Sequence, residues 1–202
     1  SVRLETMYRN PGQHYKELTS GADNQRPSSQ AVKPDYRSMG ITPPWVVTMA
    51  GKPKHYGHRD GDPLNARFYS PSSVIVDRGG IVYLADTHNH RIRTINANNK
   101  VCTLSGSSRR GHNNGRLPMA SFDHPRGLAY LDGVGLFVAD SENNRIRMIS
   151  SDGWVKDVAG QAEKGHVDGS TAIAKFDSPG SVAFTSRKSI IVADVGNSCF
   201  RE

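Results

Sequence analysis

The sequence repeats itself every 54 residues, and this register constrains the fold more than any other feature. The positions that recur in three copies are Phe68, Phe122 and Phe176; Pro71, Pro125 and Pro179; Asp86, Asp140 and Asp194; and Asn89, Asn143 and Asn197. A spacing this regular indicates stacked copies of one supersecondary unit rather than one irregular domain.

Each unit contains four short apolar or β-branched segments separated by brief turns. In the first unit these are SSVIVD, IVYLAD, RIRTIN and VCTLSG, and in the second GLAYLD, GLFVAD, RIRMIS and WVKDVAG. The pattern predicts a four-stranded antiparallel meander. Since a lone meander cannot bury both faces, we expect the units to pack face to face around an axis, as in a β-propeller.

Alternation within RIRTI and RIRMI predicts which side chains are buried. The buried positions are expected to be Ile92, Ile95, Ile146 and Ile149. The arginines between them are expected to point elsewhere.

The pattern also predicts the domain organisation. The first 40 residues are polar, contain Pro and Gly and lack a sustained period, as is typical of an extended or disordered leader. WVVTMAG before the first unit matches WVKDVAG, which ends the second. The predicted boundaries are a leader over 1–40, then a partial propeller over 41–202 with an outer strand at 45–51, blades at 71–106 and 125–160, and a partial blade at 179–202.

Composition gives little information about the compartment and the partners of the protein. No run of about 18 apolar residues exists, so no membrane span is predicted. The formal charge of +7 is spread along the chain and permits an acidic or nucleic-acid partner, although a solvated basic surface explains it equally. Cys102 and Cys199 occupy different positions of the unit, so we expect no disulfide between them, and this usage suits an intracellular compartment.

The strings FYSPSSVIVD, YLADTHNHRIRTI and TLSG, with the second copies HPRGLAY, FVADSENNRIRMI and DVAG, resemble NHL repeats. The third copy departs from the pattern at Cys199 and Phe200. The resemblance implies an all-β fold of propeller blades, each with four antiparallel strands. It does not fix the function, because the same propeller serves enzymes, RNA-binding domains and scaffolds.

Two complete units, one partial unit and one extra strand do not close a ring of about four to eight blades. We therefore expect an incomplete ring in this chain and six blades in the parent protein. The remaining blades would come from the same chain or from another.

The repeated residues have structural interpretations. The Asp at the end of each second strand is predicted to accept backbone N–H groups of the following loop, which the repeated Asn closes from the other side. The repeated Phe is predicted to fill the gap between neighbouring blades. Binding of Ca²⁺ by the Asp residues is the alternative.

Three functional hypotheses follow, in order of preference. The first is a non-catalytic scaffold for protein–protein interaction within a larger assembly. The second is RNA binding through a basic face, and its candidate residues are Arg109, Arg110, Arg116 and Arg126. The third is a metal-dependent lyase or hydrolase, for which His88 and His90 are weak candidate Zn²⁺ ligands because no HExxH or other paired motif accompanies them.

Overall fold

The structure, a computed structural model, describes residues 47–202. The predicted leader over 1–40 lies outside the described residues. Within them the helical elements are three single 3₁₀ turns. No helix in this part of the chain is long and apolar enough to span a bilayer.

The described strands form three antiparallel sheets. Blade 1 contains β1 (Pro71–Val76), β2 (Val82–Asp86), β3 (Arg91–Ile95) and β4 (Val101–Gly106), in that order. Blade 2 contains β5 (Gly115–Arg116), β6 (Pro125–Leu131), β7 (Gly135–Asp140), β8 (Arg145–Ser150) and β9 (Trp154–Gly160), in the order β5-β9-β8-β7-β6. Blade 3 contains β10 (Pro179–Phe184), β11 (Ile190–Asp194) and β12 (Cys199–Arg201). The antiparallel blades confirm the predicted all-β fold.

The 3₁₀ turns join the second and third strands of each blade, at Thr87–Asn89, Ser141–Asn143 and Val195–Asn197. In each blade the strand before the repeated Asp strand begins at the repeated Pro, which pairs with that Asp. A Pro is tolerated as the first residue of a strand, where its missing N–H does not interrupt the ladder.

The short strand β5 was not predicted. Gly115 pairs with Val155 on the outer side of blade 2, and in blade 1 the equivalent Gly61 makes a single bridge to Val101. The Asn-Gly and Asp-Gly turns of the connectors therefore touch the outermost strand of the blade that follows them.

Residues 47–51, the described part of the predicted outer strand over 45–51, form no strand. The Gly51 N–H donates instead to the carbonyl of Pro63 at 2.8 Å, within the connector. A strand needs a neighbour that pairs with its backbone groups, and none of the described sheets includes these residues.

The hydrophobic core lies at the junctions between blades. Phe122 is fully buried in a cluster that includes Ala85 and Ile92 of blade 1 and Leu136 of blade 2. Phe176 packs in the same way in a cluster with Ala139 and Ile146 of blade 2 and Val182 and Val192 of blade 3. Each ring therefore lies where two blades meet.

The third strand of each complete blade is buried on both faces. The isoleucines of β3 and β8 are buried as predicted, and Arg93 and Arg147, on the face opposite Ile92 and Ile146, are also 0 % exposed. The reason is that both strands lie inside their sheets and have both faces covered. The next blade covers Ile92 and Ile146. Ile95 and Ile149 lie on the same face as the two arginines, which the connector that carries Phe68 or Phe122 covers.

Candidate functional site

The repeated Asp ties each blade to the connector that precedes it. Asp86 Oδ1 accepts the backbone N–H of Tyr69 at 2.7 Å. Asp140 and Asp194 accept the N–H groups of Asp123 and Asp177, each at 2.8 Å. None of these three side chains caps the 3₁₀ turn that follows it.

We predicted that each Asp accepts backbone N–H groups of the loop that follows it. This was wrong, because the backbone N–H that it accepts belongs to the preceding connector. Because the first two strands of a blade are antiparallel, the end of the second lies beside the connector that enters the first. The amide that each carboxylate reaches thus belongs to a residue 17 positions upstream.

The second oxygen of the same carboxylate completes a network. Asn89 Nδ2 donates to Asp86 Oδ2 and to the Gly57 carbonyl, both at 2.8 Å. Arg93 Nη1 donates to Asp86 Oδ2 at 2.6 Å, and its guanidinium lies 5.0 Å from the centre of the Phe68 ring. The other blades repeat the network with Asp140, Asn143, Arg147 and Phe122, and with Asp194, Asn197, Arg201 and Phe176.

The repeated Asp, Asn, Arg and Phe side chains therefore stabilise the fold. All three carboxylates are 0 % exposed and accept bonds from N–H donors. Ca²⁺ needs about six to eight oxygen ligands, and oxygens already engaged with amide and guanidinium donors do not provide such a set. Residues that depart from the repeat are the better candidates for function.

One departure lies at the junction of blades 1 and 2. His90 follows the first 3₁₀ turn in the left-handed conformation, with φ of 54°. Its Nδ1 accepts the backbone N–H of His124 at 3.2 Å. At the next junction Asn144 Oδ1 accepts the N–H of Ser178 at 3.0 Å. The backbone bond between blades therefore does not require an imidazole, and a histidine pair stands here where the other junction has Asn and Ser.

A carboxylate completes this cluster. Asp123 Oδ1 lies 2.7 Å from His124 Nδ1 and 3.4 Å from His90 Nδ1. One donor atom from each of the three side chains lies within 4.8 Å of the others. Burial lowers the pKa of His90, and the neighbouring His124 and Arg110 lower it further although Asp123 acts in the opposite direction.

Five aromatic rings, including those of His90 and His124, lie in contact in a row. Their centroids are separated by 5.0 Å between Tyr56 and Tyr69, 4.8 Å between Tyr69 and His88, 5.2 Å between His88 and His124, and 4.5 Å between His124 and His90. We call these five residues the ring row. It runs from exposed tyrosines to the nearly buried His90.

The structure does not bring the predicted arginine patch together. Arg109 and Arg110 are exposed in the connector before blade 2. Arg116 lies on β5 and Arg126 on β6, which form opposite edges of the five-stranded sheet. Arg116 lies instead over the Trp154 ring, 5.4 Å from its centroid.

Of the two weak histidine candidates, the structure places His90 in the cluster and His88 beside it. Sequence reasoning missed Asp123 and His124 as their companions. Comparison of the units offered a signal, since His124 replaces the Ser70 and Ser178 of the other copies and His90 replaces Asn144 and Ser198.

Comparison with known proteins identifies the repeat. The model of the NHL repeat matches residues 68–95 and 122–147. Protein SUPPRESSOR OF QUENCHING 1, chloroplastic, of Arabidopsis thaliana is 34% identical over 95 residues, which are 46% of this chain and 9% of that protein. NHL repeat-containing protein 2 of Gallus gallus is 38% identical over 80 residues, 39% of this chain and 11% of that protein.

The matched region thus spans about a tenth of the length of these curated relatives. Among solved structures, an auxiliary nutrient binding protein from Bacteroides ovatus superposes with a TM-score of 0.58 at 20% identity, covering 69% of this chain and 39% of that one. This likeness concerns the fold alone. The two matched segments contain the first three strands of the meander in blades 1 and 2, so the chain contains NHL repeats on antiparallel sheets with the fold of β-propeller blades.

Proposed function

We propose that this protein is a non-catalytic scaffold that binds another protein through the ring row. The main observation behind the proposal is that the ring row contains surface aromatic residues that the other units lack. The other copies have Arg110 and Lys164 in place of Tyr56, Asp123 and Asp177 in place of Tyr69, and Glu142 and Gly196 in place of His88. The fold forms without aromatic rings at these positions, so the rings are free to serve recognition.

The exposed end of the row has the chemistry of a protein-binding surface. Tyr56 is 73% and Tyr69 40% exposed, and their ring centroids lie 5.0 Å apart with the ring planes tilted by 32°. Tyrosine is enriched among the residues that dominate binding energy, because a rigid ring with a polar tip buries much area at low entropic cost. Held rings of this kind favour a partner with apolar side chains.

Charge indicates the rest of the partner's chemistry. Lys52 and Lys54 are exposed in the connector that carries Tyr56, and Arg109 and Arg110 are exposed in the next connector. Positive charge around an apolar centre attracts and orients an acidic partner. The partner that fits is an acidic protein segment with apolar or aromatic side chains.

RNA binding is less well supported. Single-stranded nucleic acid needs open ring faces on which successive bases stack. His124 meets both His88 and His90 edge to face, at 88° and 86°, and so interrupts a continuous platform. Arg93 and Arg147, fully buried in the repeat network, are not available to phosphates.

The proposal is tested by affinity purification of the protein and of its Tyr56→Ser/Tyr69→Ser variant, followed by binding measurements with each purified partner. The matched control is Met119→Ser, which removes an apolar side chain that is 74% exposed outside the ring row. We expect the tyrosine variant to lose a stoichiometric partner that the Met119 variant retains, with affinity falling as salt rises.

Two results would contradict the proposal. One is a partner that binds both variants equally. The other is an association that nuclease treatment abolishes, which would favour the RNA hypothesis instead.

A further inference from the structure

The cluster of His90, Asp123 and His124 at the junction of blades 1 and 2 has the composition of a transition-metal site. His90 comes from the turn between β2 and β3, whereas Asp123 and His124 end the connector that leads into β6. Their side chains are 11%, 16% and 19% exposed. From this geometry we propose that the three residues bind one Zn²⁺ or a related divalent transition-metal ion.

The pairing of the donor atoms supports this assignment. Since His90 Nδ1 accepts the His124 N–H, the proton of the neutral ring is on Nε2. Nδ1 nevertheless faces Asp123 Oδ1 at 3.4 Å. Two acceptor atoms thus face each other with no proton between them, although each also contacts His124, and a cation placed between them would attract both.

The distances are close to those that a metal requires. Zn²⁺ holds nitrogen and oxygen ligands at about 2.0–2.2 Å, which places neighbouring ligands of a tetrahedron about 3.3 Å apart. The separation of 3.4 Å between His90 Nδ1 and Asp123 Oδ1 already fits. His124 need only exchange its contact with the carboxylate for the ion, and His90 its 3.2 Å bond to a backbone amide.

The ligand types select the class of ion. Imidazole suits Zn²⁺, Co²⁺, Ni²⁺ and Cu²⁺, whereas Ca²⁺ and Mg²⁺ prefer sites built from oxygen. Three protein ligands leave a fourth position, which water or the exposed His88 would take. The ring of His88 lies 5.2 Å from that of His124.

The junction of blades 2 and 3 is an internal control. There Asn144 takes the place of His90, and Ser178 that of His124. Asp177 keeps the carboxylate, but Ser178 Oγ donates to it at 3.1 Å and Lys164 Nζ lies 3.6 Å from it. This junction supplies its carboxylate with a lysine cation and has no imidazole. It also shows that Asn and Ser are compatible with the backbone at these positions.

The experiment uses variants taken from that junction. The protein and its His90→Asn and His124→Ser variants are titrated with Zn²⁺ alone by calorimetry, and with Co²⁺ while visible absorption is recorded. His166→Asn, which changes an exposed histidine outside the cluster, is the matched control. Circular dichroism verifies that each variant is folded.

We expect the unchanged protein and the His166 variant to bind one equivalent of Zn²⁺ and to give the intense visible bands of tetrahedral Co²⁺. Loss of an outer-shell partner typically weakens metal binding about 10- to 100-fold, and the loss of a ligand should weaken it at least as much in the two cluster variants. Mg²⁺ at the same concentration should not compete.

The inference is overturned if the folded protein binds no Zn²⁺, if the His90 and His124 variants bind it as tightly as the unchanged protein, or if His166→Asn abolishes binding. The ring row shares His90 and His124 with this cluster, but the two proposals can be tested separately. Tyr56→Ser/Tyr69→Ser removes no metal ligand and should leave Zn²⁺ binding unchanged.

Discussion

Replacing Asp140 with Ala should destabilise the protein strongly, because it removes one member of a fully buried ion pair. Asp140 accepts the Asp123 N–H at 2.8 Å, Asn143 Nδ2 at 2.8 Å and Arg147 Nη1 at 3.0 Å. Burial raises the pKa of Asp140 to about 6, although Arg147 and these hydrogen bonds lower it. At about pH 8 the carboxylate is therefore ionised and pairs with the guanidinium.

The size of the stability loss depends on which contacts Arg147 loses and which it keeps. Removing one partner of a buried pair costs about 3–5 kcal/mol, because the other charge is left without compensation. Arg147 keeps the carbonyls of Ser121 at 2.6 Å and Asn113 at 2.9 Å and an ion pair with Asp157, whose Oδ1 lies 3.0 Å from Nε, which favours the lower end of this range. For a chain of this size, 1 kcal/mol changes the melting temperature by about 2–4 °C, and we expect a fall of about 6–12 °C.

Urea unfolding at about pH 8 of Asp140→Ala, Arg147→Met and the double variant measures the effect as a thermodynamic cycle. The double variant should be more stable than the sum of the single changes predicts. Glu142→Ala, an exposed carboxylate two positions away, is the control and should leave the midpoint unchanged. A loss below about 0.5 kcal/mol for Asp140→Ala, or strict additivity, would refute the reasoning.

Two further stability predictions rest on matched pairs of residues. Gly106→Ala should cost about 1–3 kcal/mol more than Gly61→Ala. Both glycines have φ near 100°, but a Cβ on Gly106 would lie 2.4 Å from the His90 carbonyl oxygen whereas Gly61 has open space. Equal unfolding midpoints for these two variants would contradict the clash. Phe122→Ala should cost about 3–5 kcal/mol because the ring is fully buried between blades. Phe200 is 81% exposed, so Phe200→Ala should have a small effect in the same denaturation assay. Comparable losses of stability in the two variants would show that Phe122 does not stabilise the junction.

Much of each blade could be predicted from local pattern. The segments RIRTIN and RIRMIS contain β3 and β8, and their isoleucines are at most 5% exposed. The burial of Arg93 and Arg147 could not be predicted in this way, since alternation tells which residues share a face but not what covers that face. A connector from 26 residues upstream brings a carbonyl to each guanidinium, and no pattern within the strand encodes this contact.

The candidate site was predictable only in part. His88 and His90 could be singled out by their spacing, but their companion His124 lies 34 residues after His90. Its proximity depends on how blade 2 packs against blade 1. The predicted arginine patch is not formed, because Arg116 and Arg126 are close in sequence but lie at opposite edges of one sheet.

The sequence by itself determined the unit, its strands and its turns, because the 54-residue register and the alternation of apolar residues are local properties of the chain. The tertiary structure decided which side chains meet between units. It buried Arg93 and Arg147, gave each repeated Asp an amide from the preceding connector, and brought His90, Asp123 and His124 together. These contacts depend on the packing of one blade against the next, which brings distant segments within bonding distance.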